Sequence, residues 1–148
     1  MPLAPFSSKY GLRKAVFIDR DGVLNRLVDR RDKLVVNGKP IRWTAPFTME
    51  ELQIYPDARA ALFLMKKKGY VTILVTNQPD IATGNIRTED FALIMRAVSE
   101  LPLDAVYACT HHPKAGCLCR KPSPGMIFAG AVAFGIDPKL SYMVGDTE

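Results

Sequence analysis

Four short apolar runs punctuate the chain, and three longer stretches between them repeat apolar residues every three or four positions. Ala15-Val16-Phe17-Ile18 is continuous and partly β-branched, the pattern of a buried strand. Val71 to Val75, Ala105 to Ala108 and Leu140 to Val144 read the same way. Between the first two, Ala58, Ala61, Leu62 and Met65 recur at helical spacing, with Gly69 as a stop. Phe91, Ile94, Met95 and Val98 predict a second helix, with Thr88 as its N-cap. Pro124 opens a third, which runs to Phe134-Gly135. Strands alternating with helices predict a parallel sheet covered by helices on both faces, a three-layer Rossmann-like α/β fold. Such sheets bind ligands beyond the carboxyl ends of their strands.

One stretch, residues 26–55, breaks the alternation. There Leu34-Val35-Val36 and Lys39 to Trp43 flank Asn37-Gly38, the dipeptide of a two-residue hairpin turn, and Pro40 puts the second arm at an edge. A hairpin inserted after the first strand would overhang the binding edge as a small flap.

Composition narrows the class. With 148 residues, 48% hydrophobic and 24% charged, the chain suits one folded domain over residues 1–148 and is too apolar for disorder. No apolar run approaches the roughly 18 residues of a membrane span, so no membrane partner is expected. The N-terminus has no cationic start followed by an apolar stretch, so no signal peptide is read and a cytoplasmic location is expected. A net charge of +5 suits small anionic ligands such as phosphate esters. Arg30-Arg31 and Lys66-Lys67-Lys68 are expected to be solvated faces. No aromatic residues interleave with them, so nucleic acid is not expected as a partner. A monomer is expected.

The candidate chemistry stands at the strand ends. Asp19-Arg20-Asp21-Gly22 leaves the first strand, and Asp19 and Asp21 can face one site. Thr76-Asn77-Gln78 leaves the second and offers a hydroxyl and uncharged amides. Arg120-Lys121 precedes the third helix, and Gly145-Asp146 follows the last strand. Carboxylates from two strands suit a hard cation, most simply Mg²⁺, while a lysine and a hydroxyl suit a phosphoryl group. No GxxxxGK[ST] loop is present, which argues against a nucleotide cradle of that kind.

The three cysteines, an odd number, do not suit a closed disulfide framework. Cys109, His111, Cys117 and Cys119 instead form C-x-H-x5-C-x-C, a set able to close a tetrahedral zinc site. Four protein ligands leave no position for water, so zinc in this loop, residues 109–119, would be structural and would brace Arg120 and Lys121. His112 is one residue out of step with the pattern.

AVFIDRDGVLN, VTNQ, the lysine of RKP and MVGD resemble the four motifs of the haloacid dehalogenase (HAD) superfamily, in order, between residues 14 and 146. DRDG, TNQ, HHP and CRKPxPGM are most similar to the subgroup of D-glycero-D-manno-heptose 1,7-bisphosphate 7-phosphatases and histidinol-phosphatases. The resemblance implies a Mg²⁺-dependent phosphomonoesterase acting on a small phosphorylated metabolite through an aspartyl-phosphate. Asp19 would be the nucleophile, and Asp21 would protonate the leaving alcohol and then deprotonate water. Thr76, Asn77 and Lys121 would bind phosphoryl oxygens, and Arg120 a second group on the substrate. Asp19, Asp146 and the backbone carbonyl of Asp21 would hold Mg²⁺. The resemblance also implies zinc in the cysteine loop.

The chain departs from that pattern in three places. Its second motif continues PDIATG where the subgroup carries a Ser-Gly pair and an arginine near Ala82-Thr83, which leaves histidinol phosphate or another sugar phosphate open as the substrate. The segment 26–55 is longer than in the phosphatases it resembles, and Arg42 and Trp43 could shape a different ligand face. Relatives continue beyond the last motif with another acidic residue, a helix and a fifth strand. The sequence is therefore expected to be a C-terminally truncated member, weakly active or inactive, in which the second acidic position is absent and Glu148 is poorly spaced to deputise for it. A zinc-braced binding module without catalysis is the alternative from another class.

Overall fold

A computed structural model describes residues 12–146. Thr147 and Glu148 lie outside them, so the expectation for Glu148 does too. The order is β1 (Ala15–Ile18), β2 (Val28–Val36), β3 (Lys39–Thr44), α1 (Ala58–Lys67), β4 (Val71–Asn77), α2 (Asp80–Thr83), α3 (Thr88–Ser99), β5 (Ala105–Cys109), α4 (Gly125–Phe134) and β6 (Tyr142–Val144).

Four strands form one parallel sheet in the order β5-β4-β1-β6. The period-two alternation of β1 and β4 sorts the core into two halves. Val16, Ile18 and Leu74 point to one face, where they pack with Leu62 of α1 and with Ile94 and Val98 of α3. Ala15, Phe17, Val71, Ile73 and Val75 point to the other, against Met126 of α4 and Cys109. Both faces are covered, so the expected three-layer α/β architecture is what the chain adopts. After β5 the chain crosses the α4 face and returns beside β1, on the side away from β4. The carboxyl ends of β1 and β6 therefore meet where the strand order reverses, and the Asp19 amide donates to the Val144 carbonyl there at 2.9 Å.

The β2–β3 hairpin turns at Asn37 (φ 52°) and Gly38 (φ 75°), the left-handed pair that an Asn-Gly turn supplies. Its root is fixed more firmly than a solvated basic cluster would be. Arg30 is half-buried, meets Glu51 at 2.5 Å, donates to Thr44 and Ala45, and lies over the Phe47 ring. The expectation of a solvated face fails for Arg30 because an apolar ring and a carboxylate enclose its guanidinium.

Two boundaries and one short helix also differ from expectation. The carbonyl of Arg87 already accepts the first helical bond of α3, from Phe91, so Arg87 rather than Thr88 is the N-cap. β6 begins at Tyr142 because Pro138–Leu140 form a 3-10 turn whose cap, Asp137, accepts from the Lys139 amide. The short α2 carries no long apolar period and was not foreseen; it follows Pro79 and is closed by the Thr83 amide on the Pro79 carbonyl. Among the described residues, no helix is long and apolar enough to cross a membrane.

A buried threonine in β4 is matched from outside the sheet. Asp104 accepts from the amide (2.8 Å) and hydroxyl (3.1 Å) of Thr72 and pairs with Lys66 at 2.5 Å. Partial burial pushes the Asp104 carboxyl up, but Lys66 and the Thr72 donors outweigh it and hold the group below its usual range. A lowered folded value stabilises the protein above the unfolded carboxyl value, and that gain is lost as pH falls through the folded one. Asp104→Asn is expected to cost about 1 kcal/mol at pH 7, a modest figure because water screens the pair. Urea unfolding at pH 7 and near pH 3 checks this: the difference from the parent should shrink at the lower pH.

Candidate active site

At the carboxyl ends of the strands lies a cavity of about 690 Å³, lined among others by Asp19, Asp21, Asn77, Lys121 and Asp146. Five of the residues singled out from sequence thus converge on one space from β1, β4, the loop before α4 and the end of β6. The Lys121 ammonium reaches the Asp19 carboxylate at 2.6 Å, and the other Asp19 oxygen accepts from the Arg20 amide at 2.7 Å. A carboxylate and a lysine paired at the floor of an open cavity present a nucleophile beside a cation that can take up phosphoryl charge.

The turn after β1 sets this geometry. The Arg20 carbonyl accepts from the amides of Val23, Leu24 and Asn25 and curls the chain tightly. Gly22 adopts φ 78°, and a Cβ there would run into the Asp146 carboxylate. Glycine therefore serves twice, in the backbone turn and in the approach of Asp146.

Asn77 clamps rather than simply lines the cavity. Its Oδ1 accepts from the Lys121 amide (2.9 Å) and its Nδ2 donates to the Lys121 carbonyl (3.1 Å), fixing the lysine's backbone to the end of β4. Thr76 is wholly buried and does not line the cavity; its hydroxyl accepts from Gln78 Nε2 at 2.8 Å. Arg120 does not line it either, and its buried Nη1 has no hydrogen-bond partner among the described residues.

Three residues close to Asp21 stand within or beside the sequence motifs but receive no site role from sequence. Arg20, 1% exposed, donates from Nε (3.1 Å) and Nη2 (3.0 Å) to Asp21 Oδ1, and its Nη1 contacts the Met95 sulfur at 3.2 Å. Asn25 Nδ2 donates to the same Oδ1 at 3.0 Å, and Gln78 Nε2 to Oδ2 at 2.7 Å. Strand parity held a signal for Gln78, which continues the inward series 72, 74, 76 of β4, and a buried amide requires polar partners. Arg20 reads only as part of the DRDG motif, and nothing in the sequence signals that its guanidinium is buried against Asp21.

The cysteine loop draws its four groups together. The ligand atoms of Cys109, His111, Cys117 and Cys119 all lie within 4.8 Å of one another. Cys109 Sγ is 3.6 Å from Cys117 Sγ and 3.2 Å from Cys119 Sγ, and His111 Nδ1 is 3.1 Å from Cys119 Sγ. A tetrahedral ion bound at the usual Zn–S length spaces its sulfurs about 3.7 Å apart, so the donor set fits zinc in both chemistry and size. Desolvation raises the Cys117 thiol, but the Arg120 amide and the neighbouring thiols draw it down to about 7. Hydrogen bonding with Cys109 and burial push Cys119 up to about 12. Thiolates this close repel one another, which is the condition a bound cation relieves. His112 turns away to accept from the Lys114 amide. The Gln78 amide donates to the Cys109 carbonyl at 2.7 Å, joining the loop to the end of β4.

A family profile described as haloacid dehalogenase-like hydrolase matches residues 6–148. The D-glycero-beta-D-manno-heptose-1,7-bisphosphate 7-phosphatase of Pasteurella multocida is 33% identical over 91% of this chain and 72% of its own length. The enzyme of that name from Helicobacter pylori strain 26695 is 32% identical over 91% of this chain and 73% of its own. Among solved structures, the D,D-heptose 1,7-bisphosphate phosphatase of B. bronchiseptica, complexed with magnesium and phosphate, superposes with a TM-score of 0.63 at 28% identity. The match covers 84% of this chain and 65% of that protein, just under two thirds of its length. A solved protein from Mesorhizobium loti gives a TM-score of 0.69 at 26% identity, over 92% and 64% of the two chains.

Proposed function

The chain belongs to the haloacid dehalogenase-like hydrolases, and from that premise we propose that it is a phosphomonoesterase whose substrate is D-glycero-D-manno-heptose 1,7-bisphosphate. The observation that carries the reading is the Asp19–Lys121 pair at 2.6 Å, opening into a cavity that Asp21 and Asp146 also line. Asp19 attacks phosphorus and forms an aspartyl-phosphate, while Lys121 neutralises charge on the phosphoryl oxygens. Asp21 donates the proton that the departing alcohol needs, then takes one from the hydrolytic water.

Asp19, Asp146 and the Asp21 carbonyl would hold Mg²⁺, whose preference for carboxylate and carbonyl oxygen they match. When bound, the ion reduces repulsion between the Asp19 carboxylate and an anionic substrate. Cys109, His111, Cys117 and Cys119 would hold a structural Zn²⁺. That ion would brace the segment leading to Arg120 and Lys121, and Asn77 would hold the far end of it. Arg120, next to Lys121 in the chain, would reach a second anionic or hydroxyl group of the substrate, while buried Thr76 acts through Gln78, from whose Nε2 its hydroxyl accepts. The β2–β3 hairpin serves as a flap, its base marked by Leu27 at the cavity wall. The domain works as a monomer in the cytoplasm.

Phosphate release from heptose 1,7-bisphosphate with Mg²⁺, measured beside release from histidinol phosphate, tests the substrate. One equivalent of phosphate from the bisphosphate, with the 1-phosphate retained, is expected. Faster turnover of histidinol phosphate would overturn the choice of substrate, and release from neither would overturn the phosphatase reading.

A further inference from the structure

Asp21 is held unevenly. Its Oδ1 accepts three donors, two from Arg20 and one from Asn25, and so faces into the protein. Among the described residues its Oδ2 has a single partner, Gln78 Nε2 at 2.7 Å. The same nitrogen spends its second N–H on Thr76 Oγ1 at 2.8 Å. Gln78 is 3% exposed and does not line the cavity, so it acts on the chemistry only through a neighbour.

Resting on the phosphatase reading, we propose that Gln78 is a positioning residue for Asp21, tying Oδ2 to the end of β4 so that this oxygen faces the leaving group. With Oδ1 surrounded by donors, Oδ2 is the oxygen that can present a proton. In the first step a bond forms between an Asp19 oxygen and phosphorus as the ester P–O bond breaks. The electron pair of that bond stays on the departing oxygen, which takes the proton from Asp21 Oδ2. A one-ångström swing of the carboxyl would misdirect this transfer while leaving the Asp19–Lys121 pair intact. A buried glutamine that only fills space would not care which alcohol leaves.

That difference supplies the test. A sugar alkoxide needs the proton, whereas p-nitrophenolate departs as a stable anion. Positioned acids contribute about 10²–10⁴-fold where a proton is needed. Gln78→Met keeps length and volume but removes both N–H groups. Its kcat/KM, which reports the first phosphoryl transfer, should fall about 30-fold or more on the heptose bisphosphate and less than about threefold on p-nitrophenyl phosphate. Asp21→Asn should show the same selectivity, more strongly. Thermal unfolding verifies that each variant folds, and Gln78→Leu, which also lacks the donor, replaces Gln78→Met if the latter does not. Selectivity in Asp21→Asn without selectivity in the Gln78 variant overturns the role of Gln78, as does an equal loss on both substrates. No selectivity in Asp21→Asn overturns the acid role of Asp21 beneath it. A parent chain inactive on both substrates overturns the phosphatase reading, and the Gln78 role with it.

Discussion

Replacing Asp19 with asparagine is expected to abolish phosphate release, lowering kcat about a thousandfold or more with little change in fold. The amide has nearly the shape of the carboxylate and still accepts from the Arg20 amide, which lies 2.7 Å from Asp19 Oδ1. What it loses is the anionic oxygen that forms the bond to phosphorus; of the other carboxylates lining the cavity, Asp146 is the one proposed to hold Mg²⁺. Asp21 lines the same cavity, but Arg20 and Asn25 surround its Oδ1 and Gln78 ties its Oδ2 to the end of β4, where it serves proton transfer. The Lys121 ammonium, 2.6 Å from Asp19 Oδ2 in the parent, also loses its counter-charge. Phosphate affinity should therefore be retained or rise while turnover vanishes. Steady-state kinetics together with phosphate binding by calorimetry checks both halves. Turnover that survives in Asp19→Asn would rule out the nucleophile assigned here.

The second large effect belongs to the cysteine loop. Protein purified without chelator should carry about one zinc per chain, and Cys119→Ser should carry little. Structural zinc supplies about 10–16 kcal/mol in small zinc domains, so losing even part of that lowers Tm by about 10 °C or more. The consequence reaches catalysis through one short stretch of chain, because Lys121 follows Cys119 by two residues. A Cβ at Gly125 would strike the Leu118 carbonyl, which shows how closely the start of α4 packs on this loop. Turnover should fall together with zinc content in metal analysis and be recovered on adding zinc to freshly chelated parent protein. Full activity and an unchanged Tm in a zinc-free Cys119→Ser would separate the loop from the site.

Much of this was legible in the sequence because short apolar runs and one helical period dominate it. Continuous, β-branched apolar runs at Ala15–Ile18 and Val71–Val75 marked strands, and the spacing of Phe91, Ile94 and Val98 marked a helix that packs on them. The ends of those strands then located Asp19, Asp21, Asn77, Lys121 and Asp146 around one cavity. What escaped depends on which way a polar side chain turns. Arg30 reads as a surface charge until Glu51 and Phe47, some twenty residues on, enclose it. Arg20 reads only as part of the DRDG motif, and its buried pairing with Asp21 emerges once the chain turns after β1. Thr76 stands in the right motif, yet strand parity sends it inward with Thr72 and leaves Asn77 at the cavity. Short-range structure such as α2 was missed because four residues are too few to show a period.

Sequence also provides a way to observe the nucleophile directly. Trypsin cleaves after Lys14 and Arg20, so Asp19 is the only side-chain carboxylate of the peptide Ala15–Arg20, and Asp21 falls in the next peptide. Enzyme quenched during turnover and treated with borohydride converts an acyl-phosphate to the corresponding alcohol before digestion. Homoserine in place of Asp19, in the Ala15–Arg20 peptide and absent without substrate, is the predicted result. An unmodified Ala15–Arg20 peptide from enzyme that is turning over, or homoserine in the peptide that carries Asp21, would contradict it.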